Sequence, residues 1–168
     1  MSRPAVPKAH DAAAHEREGT PITRPAAPKA HDAAAPQREG TPMSGALHLI
    51  PVGLGDAPPE RWLPADVRAL AGRLDTYIAE NAKTARAFLK LIGTTRPLQE
   101  ITIHTLTDKI NDGQIKAWLD PVRKGAEIGL VSEAGCPAVA DPGAKVVDAA
   151  HRLGITVKPW VGPSSILL

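Results

Sequence analysis

One cysteine, Cys136, in 168 residues leaves no partner for an intrachain disulfide. With no CxxC pair and no Cys/His cluster, the spacing that marks a structural zinc site is also missing. Trp, Tyr and Phe together make up 3% of the chain, too few for a run of aromatic platforms on which single-stranded nucleic acid stacks. The net charge of +2 supplies no broad basic field, which leaves a local patch as the means of holding RNA. No apolar run approaches the ~20 residues of a membrane span, and the N-terminus has no apolar h-region of a secretory signal. A reducing, cytoplasmic setting without a membrane partner is the expectation. A G-x-G-x-x-G fingerprint is absent as well: Val52-Gly53-Leu54-Gly55-Asp56 has two glycines and no helix directly after it, which argues against a dinucleotide-dependent oxidoreductase.

What is present divides in two. Residues 1–43 contain a tandem repeat, Arg3 to Pro21 and Arg24 to Pro42, offset by 21 positions (24 − 3). This stretch has no Leu, Phe, Tyr or Trp, so it cannot bury enough apolar surface to offset its ordering entropy. Two copies are also too few for a solenoid. It reads as a disordered Ala/Pro-rich tail, with Met43 as an alternative start. Residues 44–168 form the folded part, an α/β domain.

In that second part strands and helices alternate. Ala46–Val52, Tyr77–Glu80, Ile101–Leu106, Glu127–Val131 and Ile155–Val161 have strand character. Between them Ala65–Leu74, Lys83–Ile92, Asp112–Lys124 and Ala144–Leu153 carry apolar residues at helical spacing. The fold class is therefore α/β: a parallel sheet of about five strands flanked by helices, with right-handed crossovers. The apolar end Ile166-Leu167-Leu168 follows what looks like another loop and helix start, and predicts that the chain is a fragment of a longer protein.

Ser132 to Gly143, reading S-E-A-G-C-P-A-V-A-D-P-G, lies between a buried strand and a helix. Ligands of open α/β sheets bind at such strand ends. Gly135 and the alanines Ala134, Ala138 and Ala140 leave the backbone open to close approach, although a plain βα turn needs no ligand. Asp141 suits an N-cap better than a catalytic group, Pro142 suits the first helical position, and Gly154 suits a helix stop. Cys136 has no base partner in the sequence and reads as a small packing residue. Arg86 and Lys90 read as a solvated helix face with the option of touching RNA phosphate. His104 and His151 have no evident partners.

Four stretches resemble the tetrapyrrole-methylase superfamily, the class III S-adenosylmethionine-dependent methyltransferases. Within it the nearest likeness is to the ribosomal RNA small subunit methyltransferase I group. Leu47 to Asp56 (L-H-L-I-P-V-G-L-G-D) looks like the first strand and its Gly/Pro loop, and Ala79 to Lys90 looks like the helix opened by E-D-T-R. Ser132 to Gly143 resembles S-D-A-G-T-P-x-x-S-D-P-G, and Val161 to Ser165 resembles the P-G-P-S segment at the domain junction. The likeness covers Gly45 to Leu168, about the N-terminal half of a member. Glu80-Asn81-Ala82-Lys83 departs from E-D-T-R by losing the second acid, and Cys136 and Ala140 replace hydroxyl residues.

The resemblance implies S-adenosyl-L-methionine as cofactor, no metal, and a methyltransferase acting on ribosomal RNA of the 30S subunit at a ribose 2′-hydroxyl. The alternatives are a tetrapyrrole or other small-molecule acceptor, or an inactive cofactor-binding fragment. Transfer from an already activated sulfonium calls for positioning and desolvation rather than a catalytic triad. The implied cofactor contacts are Pro51, Gly53, Gly55, Ser132, Glu133, Ala134, Gly135, Val139, Asp141, Pro142, Gly162, Pro163 and Ser164. Asp56, Glu80 and Arg86 are the implied substrate contacts. Amides near Pro142 at the helix start are expected to favour the methionine carboxylate. No catalytic base is assigned. A homodimer is implied for the full-length protein, and this chain alone is expected to be inactive.

Overall fold

The computed structural model describes residues 45–164 and residue 166. The repeat, the 43/44 boundary and Ser165 lie outside the described residues. Five strands, β1 (Ala46–Leu49), β2 (Thr76–Ala79), β3 (Thr102–Thr105), β4 (Glu127–Val131) and β5 (Thr156–Pro159), form one sheet in the order β3-β2-β4-β1-β5. Every pairing is parallel, and Ile103, Tyr77, Gly129, His48 and Lys158 share one row across the sheet. Four helices connect the strands: α1 (Ala65–Arg73), α2 (Ala82–Ile92), α3 (Asp112–Arg123) and α4 (Gly143–Arg152).

The helices cover both faces, so the sheet is buried between two apolar clusters. Val67, Leu70 and Ala71 of α1 and Ala85, Phe88 and Leu89 of α2 pack on Tyr77, Ala79 and Val131. On the other face Ile115, Leu119 and Val122 of α3 and Val146 and Ala150 of α4 pack on Leu47, Ile78, Ile128 and Leu130. Alternation within each strand sends neighbouring residues to opposite clusters. Each fully buried Leu or Ile contributes roughly 1.5–3 kcal/mol by its removal from water.

Tyr77 shows how the row is packed. It is fully buried, its hydroxyl donates to the Ala71 carbonyl, and burial pushes the phenol well above its ordinary range. Its ring lies over Gly129, where a Cβ would come within 2.6 Å of Cδ1. A side chain at that position of β4 would displace the ring.

Four strands end earlier than the sequence expectation. β1 stops at Leu49 rather than Val52, where Pro51 has no N–H for a ladder, β3 stops at Thr105 rather than Leu106, and β5 stops at Pro159 rather than Val161. β2 ends at Ala79, which leaves Glu80 beyond the strand. Asn81 then caps α2, its side chain accepting from the Lys83 amide at 2.9 Å. Short 3-10 turns at Pro59–Arg61 and Leu98–Glu100 were not expected. His104 does have a partner: it stacks on Trp118, ring centres 4.8 Å apart at 11°.

Candidate functional site

Three segments leave the carboxyl ends of β1, β4 and β5 and meet there. Val52 and Gly135 exchange both backbone hydrogen bonds, each 2.9 Å, as an antiparallel bridge. That bridge fixes the Pro51–Asp56 loop to the Ser132–Gly143 loop. Gly162 sits against Pro51, whose Cγ would lie 2.6 Å from a Cβ at 162. The Cys136 thiol donates to the Pro163 carbonyl at 3.2 Å, a weak bond that ties the third segment to the second. Cys136, read from sequence as packing, is therefore a tie between loops.

Inside the long loop the chain is bent sharply. Gly135 has φ +74, and two alanines also have left-handed backbone, Ala138 at φ +67 and Ala140 at φ +58. An alanine there costs about 1–2 kcal/mol, and such strain concentrates at ligand-binding segments. The Ser132 hydroxyl is buried and donates to the Ala134 and Gly135 carbonyls at 3.1 and 3.3 Å. It is thus occupied in shaping the loop.

The next turn carries the electrostatics. Asp141 Oδ1 accepts from the Gly143 amide at 2.7 Å, as an N-cap does. Asp141 Oδ2 is buried and has no hydrogen-bond partner. Burial raises the Asp141 carboxyl above its ordinary value, against the pull of the Gly143, Ala138 and Val139 amides. Glu80 is also raised, first by burial and then by the charges of Asp141 and Glu133. The charges of Asp141 and Glu133 thus reach Glu80 across the ends of β2 and β4. Asp141 Oδ1 takes up one of the amides at the start of α4 that were expected to favour the methionine carboxylate. Among the described residues, no three His, Cys, Asp or Glu side chains are arranged to hold a metal ion.

The remaining predicted positions are less uniform. Gly53 is covered on one side by Trp62, whose Cζ2 would be 2.9 Å from a Cβ, while Gly55 has open space around it. Asp56, Glu133 and Ala134 are exposed, and Ser164 is half-buried beside Pro163. Val139 and Leu54 expose apolar side chains. Pro142 borders a small 50 Å³ depression with Leu106, Ile110 and Lys145. The Arg86 guanidinium donates to the Leu98 carbonyl at 3.3 Å rather than to any of the three loops. Two roomier depressions, about 390 Å³ beside Glu60 and Arg68 and about 420 Å³ beside Arg73 and Trp160, include no residue of these loops.

The chain is 32% identical over 129 residues to a protein of Xylella fastidiosa named ribosomal RNA small subunit methyltransferase I, covering 73% of this chain and 42% of that one. Proteins of the same name from Mycobacterium tuberculosis and Bacillus subtilis are 31% and 27% identical, each over 123 residues, 73% of this chain and 41% and 39% of theirs. No family model matches the chain. The chain spans about two fifths of the length of these relatives. By sequence it is a homologue, over that span, of the ribosomal RNA small subunit methyltransferase I group of the tetrapyrrole methylase family.

Proposed function

We propose that this chain supplies the cofactor-binding part of an S-adenosylmethionine-dependent methyltransferase that modifies ribosomal RNA at a ribose 2′-hydroxyl, in the cytoplasm and as a homodimer in its full-length form. The observation that carries the reading is the junction of the three loops, with Asp141 Oδ2 buried and unpartnered beside Glu80 and Glu133. S-adenosylmethionine, when bound, supplies a methyl group on a positively charged sulfonium. The carboxylates of Glu80, Glu133 and Asp141 suit that charge and the ammonium of the same molecule. Pro51, Gly53, Gly55, Ala134, Gly135, Val139, Gly162, Pro163 and Ser164 give small side chains and backbone groups that admit a ligand closely and exclude water from it. Ser132 acts through the loop shape that its hydroxyl holds.

Asn81 stands where the family pattern has an acid, and its side chain is used as the cap of α2. Asp caps equally well, so the exchange preserves the turn that presents Glu80 while it removes one charge from the acceptor side. Asp56, exposed on the first loop, is assigned to the acceptor side. Arg86 is the least supported of the acceptor contacts.

Calorimetric titration of S-adenosylhomocysteine and S-adenosylmethionine, with NAD as control, tests the cofactor. Binding of the first two and not of NAD is expected. Binding of NAD alone would overturn the reading. Methyl incorporation by the full-length protein into 30S particles, compared with a tetrapyrrole, decides the acceptor.

A further inference from the structure

We propose that His48 is a positioning residue: its protonation state sets the placement of the Val161–Ser164 segment that closes one side of the loop junction. His48 lies in the middle of β1 and is only 1% exposed. Its Nδ1 accepts a hydrogen bond from the Trp160 indole Nε1 at 3.0 Å, across 112 positions of sequence. An accepting ring nitrogen carries no proton, so the proton resides on Nε2, which faces Glu127 Oε1 at 3.3 Å. The two rings are also stacked, centres 6.0 Å apart at 19°. Protonation of Nδ1 would set two N–H groups against each other and break the bond to Trp160.

Trp160 is the last residue before the closing segment. Its amide donates to the Leu49 carbonyl at 3.1 Å. Beyond it Val161 is 77% exposed. Among the described residues, two side-chain hydrogen bonds hold the stretch from Trp160 to Ser164: the one to His48, and the weak thiol bond from Cys136 to Pro163. Releasing the indole therefore removes the stronger of the two.

The groups around His48 set how readily it titrates. Glu127 on β4 favours the charged ring, but Glu127 Oε2 is already paired with Arg73 of α1 at 2.8 Å. Lys158 on β5 and Arg73 oppose the charge, and burial is the largest influence, holding His48 below its ordinary 6.5. Asp66 of α1 completes the charged surroundings, in the 420 Å³ depression that reaches the ring from solvent. Arg73 is half exposed, so it can be changed without opening the core.

This inference rests on the proposed cofactor reading only for its ligand arm. The experiment follows the Trp160 indole and the Gly162 and Ser164 amides by ¹⁵N NMR of the whole chain from pH 8 to pH 5, alongside S-adenosylhomocysteine affinity over the same range. The indole and both amides are expected to move with one midpoint below 6.5, and affinity to fall about fivefold through it, what one hydrogen bond is worth. His48→Asn, which offers a non-titrating acceptor to the indole, should flatten both curves. Arg73→Gln, which frees the Glu127 carboxylate, should move the midpoint upward. Amides that stay fixed while the indole titrates would overturn the proposal, as would a midpoint indifferent to Arg73→Gln. Complete absence of S-adenosylhomocysteine binding would count against the cofactor reading instead, and the amide curves would still decide the role of His48.

Discussion

Gly162→Ala tests whether the third loop is an adjustable wall of the site. A Cβ at 162 would sit 2.6 Å from Pro51 Cγ, whereas ordinary contact begins at 3.4 Å. The closing segment must therefore back away by at least about 0.8 Å (3.4 − 2.6), since Pro51 Cβ would lie closer still. Pro51 is buried at the end of β1 and is the less able to yield, while Val161 beside the segment is largely exposed. The strain should thus move the segment, stretch the 3.2 Å bond from Cys136 to Pro163, and leave the sheet intact. Backing the wall away forfeits at least one close contact, so a loss of about fivefold or more in S-adenosylhomocysteine affinity is expected. The thermal midpoint should fall by only about 4 °C, as for roughly 1 kcal/mol in a domain between the small and mid-sized ranges. Calorimetric titration and a thermal melt of the same sample check both numbers. Affinity within threefold of the parent would refute the placement of the ligand against this segment. A collapse of the fold would refute its adjustability.

Gly129→Ala should destabilise by about 1–3 kcal/mol through overpacking, because its Cβ meets the fully buried Tyr77 ring; an unchanged urea midpoint would show that the ring has room, and Tyr77→Leu should restore part of the loss. Ala138→Gly and Ala140→Gly remove left-handed strain of about 1–2 kcal/mol against a glycine entropy cost of about 0.4–1 kcal/mol. Each should raise the melting temperature slightly, and a drop would mean that the methyl groups pack. Asp141→Asn keeps the cap to Gly143 and removes a charge. Since burial raises the folded Asp141 above its ordinary 3.8, its contribution to stability is present below 3.8 and is lost as pH rises through the raised folded value. The variant should therefore gain on the parent at pH 7, with the gain closing toward pH 3; an equal gain at both pH values in chemical denaturation would contradict that.

The elements were legible because each rests on local pattern. Val67, Leu70 and Leu74, or Ala85, Phe88, Leu89 and Ile92, recur at helical spacing and are buried as that spacing requires. The end of β1 was overrun because hydrophobicity continues through Pro51 while the hydrogen-bond ladder does not. The 3-10 turns were missed because three residues are too few to show a period. Sheet order was not legible, as it is set by pairings between distant strands.

The candidate site divides in the same way. The Asp141 bond to the Gly143 amide follows from neighbouring residues, while α4 begins at Gly143, one residue later than expected, with Pro142 at its N-cap. From those neighbours alone the start of α4 is an anion site, by its free amides and the helix dipole. Glu80 lies 61 positions from Asp141 (141 − 80) and comes from another strand. The sheet order that seats β2 beside β4 brings it to Asp141 and Glu133, and their charges act on one another. The parallel pairing of β2 with β4 therefore brings acidic charge beside the start of α4, and on the proposed reading that edge faces the cationic end of the cofactor rather than its carboxylate.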